Sequence, residues 1–267
     1  MNSSEPVLSG ISDGVMTVTL NRPEAANAVR PADRDTLVAL LADADADETV
    51  RVVVLRANGK HFCSGADVGS LADRRARGEK RVLEPTRRIM NGAQRLVAGV
   101  LDCNKPVIAA VHGAATGLGA HVAYACDLVV ATENAYFAES FVKRGLVVDG
   151  GGCYLLPRRI GMQKAKELAF FGDKLTAAEA LALGLVNRVV APADLDATVA
   201  EFTGRLSSAP TSAIAFTKRL LNDSPDTDRS GAFVAEAMAQ EIQSYAHDST
   251  EGVKAFMEKR PTEFTGW

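Results

Sequence analysis

The chain predicts an α/β fold that ends in an all-helical tail. Three observations carry that prediction. Short apolar, β-branched runs at 51–57 and 106–111 alternate with segments of helical periodicity over roughly the first 205 residues. Past that point only helical patterns follow. Hydrophobic residues make up 47% and charged residues 24%, the balance of a well-cored globular protein. The expected division is therefore a core over 1–205 and a helical region over 206–267.

The elements read in order as follows. Residues 14–20, GVMTVTL, alternate apolar and polar side chains and stop at Asn21-Arg22-Pro23, a strand followed by a turn. Pro31 suits a first helical turn, and Leu37, Leu40, Leu41 and Ala44 then repeat at helical spacing. RVVVLRA (51–57) reads as a strand covered on both faces, followed by the polar loop NGKHFCSGADVG. A charged stretch, LADRRARGEKR, leads to renewed helical spacing over 87–102. The strand PVIAAV, the small-residue loop HGAATG, the helix LGAHVAYAC and the strand DLVVA form a compact unit. AYFAES reads as a short β segment, and RGLVVDGGG leads into a helix near 151–158. MQKAKELAFFG is a helix ending at Gly172, and Thr176 with Glu179 forms a capping-box pattern. Helices follow over 194–208, 211–222 and 230–259.

Several function classes are disfavoured. A net charge of −3 argues against a sequence-independent nucleic-acid surface. No apolar run approaches the roughly 18 residues of a membrane span. MNSSEPVLSG lacks the basic start and apolar stretch of a secretory signal, so a cytoplasmic protein is expected. Cys63, Cys103, Cys126 and Cys153 are scattered and read as thiols rather than disulfides. His61, His112, His121 and His247 show no ligand spacing, and no metal site is expected.

Two glycine-rich segments, Phe62-Cys63-Ser64-Gly65-Ala66-Asp67 and 112–119 (HGAATGLG), each follow a strand and lead into a helix. Small residues admit close approach of a ligand, and a helix start offers unpaired N–H donors with a favourable dipole. Two such donors aimed at one point make an oxyanion hole, although spacing leaves their convergence open. A dinucleotide site is disfavoured, because Val122 stands where a third glycine is wanted after Gly117 and Gly119. A serine nucleophile elbow is excluded at Ser64, because Phe62 replaces its first glycine.

The ordered blocks NRPEAANAV, KHFCSGADV, KPVIAAVHGAATGLGAHVAYACDLVVAT, RGLVVDGGGCYLLPRRIG, LTAAEALALGLVNRVV and EGVKAFMEKRPTEFTG resemble the crotonase (enoyl-CoA hydratase/isomerase) superfamily along nearly the whole chain. The resemblance implies a crotonase-like ββα spiral core with a C-terminal helical oligomerisation region. It implies an acyl-CoA thioester as substrate, with coenzyme A as part of it and no permanently bound cofactor. It places the oxyanion donors at the backbone N–H of Ser64 and Leu118.

Family hydratases carry two glutamates, at positions that correspond to His121 and Phe141 here. Hydration needs one group to activate water and another to protonate carbon, so this chain departs from the hydratase pattern. Asp149, in VVDGGG, resembles the aspartate of superfamily isomerases, including those of phenylacetate degradation, and is the expected acid/base. Val147 and Val148 suggest apolar surroundings that would raise its pKa. An N-cap role for Asp149 is the competing reading. His121 is expected as a neighbour behind the site or a proton carrier, and Glu139 as solvated or paired on the other face of a strand.

By the same resemblance, Ala25, Ala26 and Ala28 line the pantetheine path. Ala66, Asp67 and Val68 meet the adenine, chiefly through main-chain groups, and Ser64, Gly65, Gly117 and Phe141 are further substrate- or coenzyme-binding positions. Phe256 and Lys259 reach the coenzyme of a neighbouring subunit. The stretch from Gly69 to Thr86 is expected to form one pocket wall. The apolar positions Ala232, Phe233, Ala235, Met238 and Ile242 require cover, in line with a homotrimer or dimer of trimers. The expected reaction is a double-bond shift. The alternatives are hydration with a non-standard acid/base set, or acyl-CoA binding without catalysis.

Overall fold

The fold is built around a six-stranded sheet whose central strands are buried on both faces. The computed structural model describes residues 5–67, 69 and 83–267. The antiparallel pair β1 (Val7–Ser12) and β2 (Val15–Leu20) opens the chain. The turn uses Asp13 and Gly14, both at positive φ. Sequence periodicity did not announce β1, because VLSGIS buries only Val7 fully and lies at the edge of the sheet.

From β2 onward the sheet is parallel, through β3 (Val52–Ala57), β4 (Val107–Val111), β6 (Leu128–Thr132) and β9 (Arg188–Val190). The order is β1-β2-β3-β4-β6-β9. Alternate residues explain the continuous apolar runs. Val53, Leu55, Val107, Ala109 and Val129 face a core shared with Leu37 and Leu41 of α1 (Pro31–Ala46), and with Leu96 and Val100 of α3 (Arg95–Asp102). Val52, Val54, Ile108, Ala110 and Val130 face a second core against Leu195, Val199 and Phe202 of α8 (Leu195–Ser207). Full burial of such side chains contributes about 1.5–3 kcal/mol each.

A smaller sheet holds β5 (Ala114–Thr116), β7 (Tyr136–Ala138) and β8 (Lys174–Thr176), in the order β5-β7-β8. β8 and β9 have three residues each, too few to carry a visible period. The expected 87–102 helix is α2 (Glu84–Arg88) joined to α3 through a π-helical turn over Ile89–Gln94. Downstream come α4 (Leu118–Ala125), α5 (Gly152–Ile160) and α6 (Met162–Phe171). The capping box at Thr176 and Glu179 opens α7 (Ala177–Ala182), with both reciprocal hydrogen bonds formed.

The C-terminal helices are α9 (Thr211–Asp223), α10 (Arg229–Ser244) and α11 (His247–Glu258). The single helix expected over 230–259 is broken instead. Ala246 takes an extended conformation and caps α11, so the apolar stripe turns a corner. Arg51, at the start of β3, ties this region to the core through the Thr211 side chain and the carbonyls of Ala209 and Thr265. Lys218 of α9 reaches the carbonyls of Val100 and Lys105 and pairs with Asp127 at 2.8 Å. Among the described residues no helix is long and apolar enough to cross a membrane.

Candidate active site

The loop after β3 is stitched on both sides, and the stitching decides which amides remain available. On one side Cys63 N–H donates to Ala114 O at 2.9 Å and Thr116 N–H to Cys63 O at 2.9 Å. On the other, Val29 N–H donates to Gly65 O at 2.8 Å and Asp67 N–H to Val29 O at 3.0 Å. These two bonds flank Ala66 and form its parallel bridge with Val29, so the Ala66 N–H points to the opposite side. Ser64 N–H donates to Ala26 O at 3.0 Å. The expected donor at Ser64 is thus already engaged, and among the described residues the unpaired amide of this loop is that of Ala66. Sequence spacing placed the loop but not its alternation, which depends on the partners at 26, 29 and 115.

The second expected donor, Leu118, lies at a helix start. Gly117 adopts φ 52°, ψ −123°, a region costly for other residues, and α4 starts at Leu118 with its first amides unpaired within the helix. The two loops touch. A Cβ on Gly65 would lie 2.9 Å from Thr116 O and 3.6 Å from Leu118 N, and one on Gly119 would lie 2.4 Å from Cys63 O. Only glycine at these positions lets the two loops pack this closely.

Ala66 and Leu118 both line a cavity of about 460 Å³. Ala25, Ala28, Ser64 and Asp67 line one part, and Gly117, Phe141, Leu146 and Asp149 another. Arg34, Arg88, Ile89, Ala93, Ser140 and Arg144 complete it. Apart from Ile89, on the helical spacing of 87–102, periodicity did not single out this last group, because it comes from separate segments that meet only on folding. Ala26 and Gly65 shape the wall from behind. Ala26 turns its carbonyl to Ser64, and Gly65 supports the contact with Thr116. Val68 and most of the expected wall between Gly69 and Thr86 lie outside the described residues. Phe256 and Lys259 are exposed at the end of α11, away from this cavity.

Asp149 faces the cavity half-buried. Burial pushes its carboxyl above the usual carboxylate range, against the opposing charges of His121 and Arg34. The apolar surroundings come from Ile89, Ala93, Phe141 and Leu146 across the cavity. They do not come from Val147, which is 84% exposed. Nor does Asp149 cap a helix. The N-cap of α5 is Gly151, at φ 91°, with no side-chain cap bond.

His121 lies behind this wall, fully buried, with Nε2 2.8 Å from Glu139 Oε2. Its ring stacks on Phe141, with centroids 5.6 Å apart and planes at 4°. Glu139 is therefore paired and buried rather than solvated. Cys63, Cys103 and Cys126 are buried and Cys153 is exposed. Burial raises the Cys63 thiol to about 12, so it is no nucleophile. Among the described residues no cluster of His, Cys, Asp or Glu could hold a metal ion.

Comparison with known proteins agrees with this geometry. Residues 10–266 match the enoyl-CoA hydratase/isomerase family. A probable enoyl-CoA hydratase of Rhodobacter capsulatus is 37% identical over 256 residues, 96% of each chain. The 1,2-epoxyphenylacetyl-CoA isomerase of Escherichia coli is 34% identical, over 98% of this chain and 99% of its own. The crystal structure of a putative enoyl-CoA hydratase from Streptomyces coelicolor superposes with a TM-score of 0.92 at 34% identity. That match covers 100% of this chain and 96% of the other. With a family match across almost its full length and the corresponding fold, this chain belongs to the enoyl-CoA hydratase/isomerase (crotonase) family.

Proposed function

We propose that this family member shifts a double bond in an enoyl-CoA, with Asp149 as the one acid/base. The observation that carries the reading is that, of the two carboxylates among the described lining residues, Asp67 is paired with Arg22 whereas Asp149 lies half-buried in the wall that also holds Ala66 and Leu118. The amides of Ala66 and Leu118 hold the thioester oxygen as negative charge develops on it, which lowers the barrier to removing a nearby proton. Asp149 takes a proton from one carbon of the acyl chain and returns it two carbons away, so the reaction consumes no water. A pKa above the usual carboxylate range makes Asp149 a stronger base. Asp67 is engaged with Arg22 at 3.3 Å, beside Ala25 and Ala28, where the coenzyme's pantetheine would run.

Hydration needs a second acid/base group in reach of water. His121 is fully buried and separated from the cavity by Phe141, which favours isomerisation. The test is solvent-deuterium exchange into a panel of saturated and unsaturated acyl-CoAs, with Asp149→Asn as control. Exchange abolished by the substitution, with coenzyme affinity retained, supports the reading. Unchanged exchange refutes it, and hydration of crotonyl-CoA that survives in Asp149→Asn favours the hydratase reading. The same affinity with no turnover in either protein leaves an acyl-CoA binder.

The helical region over 206–267 is proposed as an assembly surface of a homotrimer or dimer of trimers. Phe233, Met238 and Ile242 on α10 and Phe256 and Met257 on α11 are all at least 60% exposed within one chain. In such an assembly Phe256 and Lys259 would meet the coenzyme of a neighbouring subunit.

A further inference from the structure

We propose that the buried His121–Glu139 pair is a positioning device for Asp149, an imidazole held by Glu139 directly behind the Asp149 turn so that the pair favours the ionised carboxylate. The proposal rests on the reading of Asp149 as the base. Its foundation is geometric. Both side chains are fully buried, at 0% and 1% exposure, and joined by one 2.8 Å contact. Each also keeps one buried polar atom, His121 Nδ1 and Glu139 Oε1, without a hydrogen-bond partner. A carboxylate sealed from water is strongly disfavoured unless a positive charge accompanies it, and the imidazole is the group that touches it.

The turn at Asp149 lies directly on that ring. A Cβ on Gly150 would sit 3.4 Å from His121 Nδ1, and one on Gly152 would sit 2.4 Å from Nε2. Glycine at both positions allows the turn to rest on the imidazole, while Phe141 stacks on the ring at 5.6 Å. His121 is thus packed between the turn that carries the base and the aromatic wall of the cavity. The electrostatic coupling has the corresponding sign, since His121 opposes the effect of burial on the Asp149 carboxyl.

Other charged groups near the two residues act around this pair. Arg34 on α1 also favours the ionised carboxylate, and Arg88 on α2, Asp67 and Arg144 line the same cavity. Cys153 on α5 feels both Asp149 and Glu139, and burial together with that negative charge raises its thiol pKa. Tyr124, one turn along α4 from His121, stays a neutral phenol because burial and Glu139 both oppose its ionisation. Among these groups, His121 is the one that touches both the carboxylate partner and the Asp149 turn.

The experiment follows the Asp149 carboxyl carbon by ¹³C NMR titration, assigned by its loss in Asp149→Asn. In His121→Gln the midpoint is expected to rise by about one pH unit, because a nearby opposite charge is removed. The acid limb of the exchange rate should move with it. An unchanged midpoint with a lower rate at every pH overturns the proposal and leaves a packing role. Imidazole ¹⁵N shifts of the unmodified protein provide a second readout that needs no folded variant. An inflection of these shifts at the Asp149 midpoint is expected, and its absence overturns the proposal. Exchange that persists in Asp149→Asn would instead remove the base reading, and the carboxyl titration would still decide whether the pair tunes this side chain.

Discussion

Asp149 is held between opposing influences. Burial favours its protonated form, and the charges of His121 and Arg34 favour the ionised one. Burial prevails, so the group titrates above an ordinary carboxylate. The ionised form is the base, and activity is therefore expected to fall as pH drops through a midpoint higher than that of a solvated aspartate. A profile of kcat/KM against pH checks the position of that limb. Asp149→Asn should lower exchange by about 10²–10⁴-fold, the usual contribution of a positioned acid/base group. Gly119 sets a second constraint at this scale. A Cβ there would meet Cys63 O at 2.4 Å and Cys63 Cβ at 2.6 Å. Gly119→Ala should cost about 1–3 kcal/mol of stability through overpacking. It should also lower the rate by about 10²-fold, because the Ala66 and Leu118 amides are forced apart. Denaturant unfolding and deuterium exchange measure the two effects separately.

At the scale of elements, the site is made by loops whose direction is fixed by neighbouring strands. The 62–67 loop has its Cys63 edge bonded to β5 and its Gly65 and Asp67 edges bonded to Val29, which turns Ala66 N–H toward the cavity. Sequence reading found the loop and the helix start at Leu118, because glycines and strand ends are local signals. It pointed to Ser64 rather than the proposed donor Ala66, since the bond that occupies the Ser64 amide comes from Ala26, nearly forty residues away in sequence. The capping box at Thr176 shows the opposite case, a fully local interaction legible from residue types alone. Thr176→Ala should remove the bond from the Glu179 amide to the Thr176 hydroxyl, keep the one from the 176 amide to the Glu179 carboxylate, and destabilise the protein by about 1 kcal/mol in urea, with no change in deuterium exchange.

For the molecule as a whole, the C-terminal region is fastened by a buried carboxylate. Asp248 accepts from the amides of Thr265 at 2.8 Å and Gly266 at 2.6 Å. Burial opposes its ionisation, but these bonds and that from His247 prevail and hold it below the usual carboxylate range. A depressed folded-state value means its stabilising contribution is present above the unfolded pKa and is lost as pH falls through the folded one. Asp248→Asn should therefore cost about 1–3 kcal/mol at neutral pH and flatten the acid dependence of unfolding. The exposed apolar faces of α10 and α11 carry the assembly prediction. Phe233→Asp combined with Met238→Asp should lower the mass seen by sedimentation toward that of one chain. An unchanged mass would place the interface elsewhere.

The amino-acid sequence alone determined the α/β class, the central strands, the two glycine-rich loops and the place of Asp149. Each is written in neighbouring residues: an apolar run, a glycine that tolerates positive φ, a carboxylate before three glycines. The tertiary structure decided what depends on distant partners. It made Ala66 rather than Ser64 the available amide, through bonds to Ala26 and Val29. It brought Glu139 onto His121, and it gathered Arg34, Arg88 and Arg144 around one cavity. Local periodicity records which face of an element is buried, whereas hydrogen-bond direction and electrostatic neighbourhood are set by segments that meet only in the folded chain.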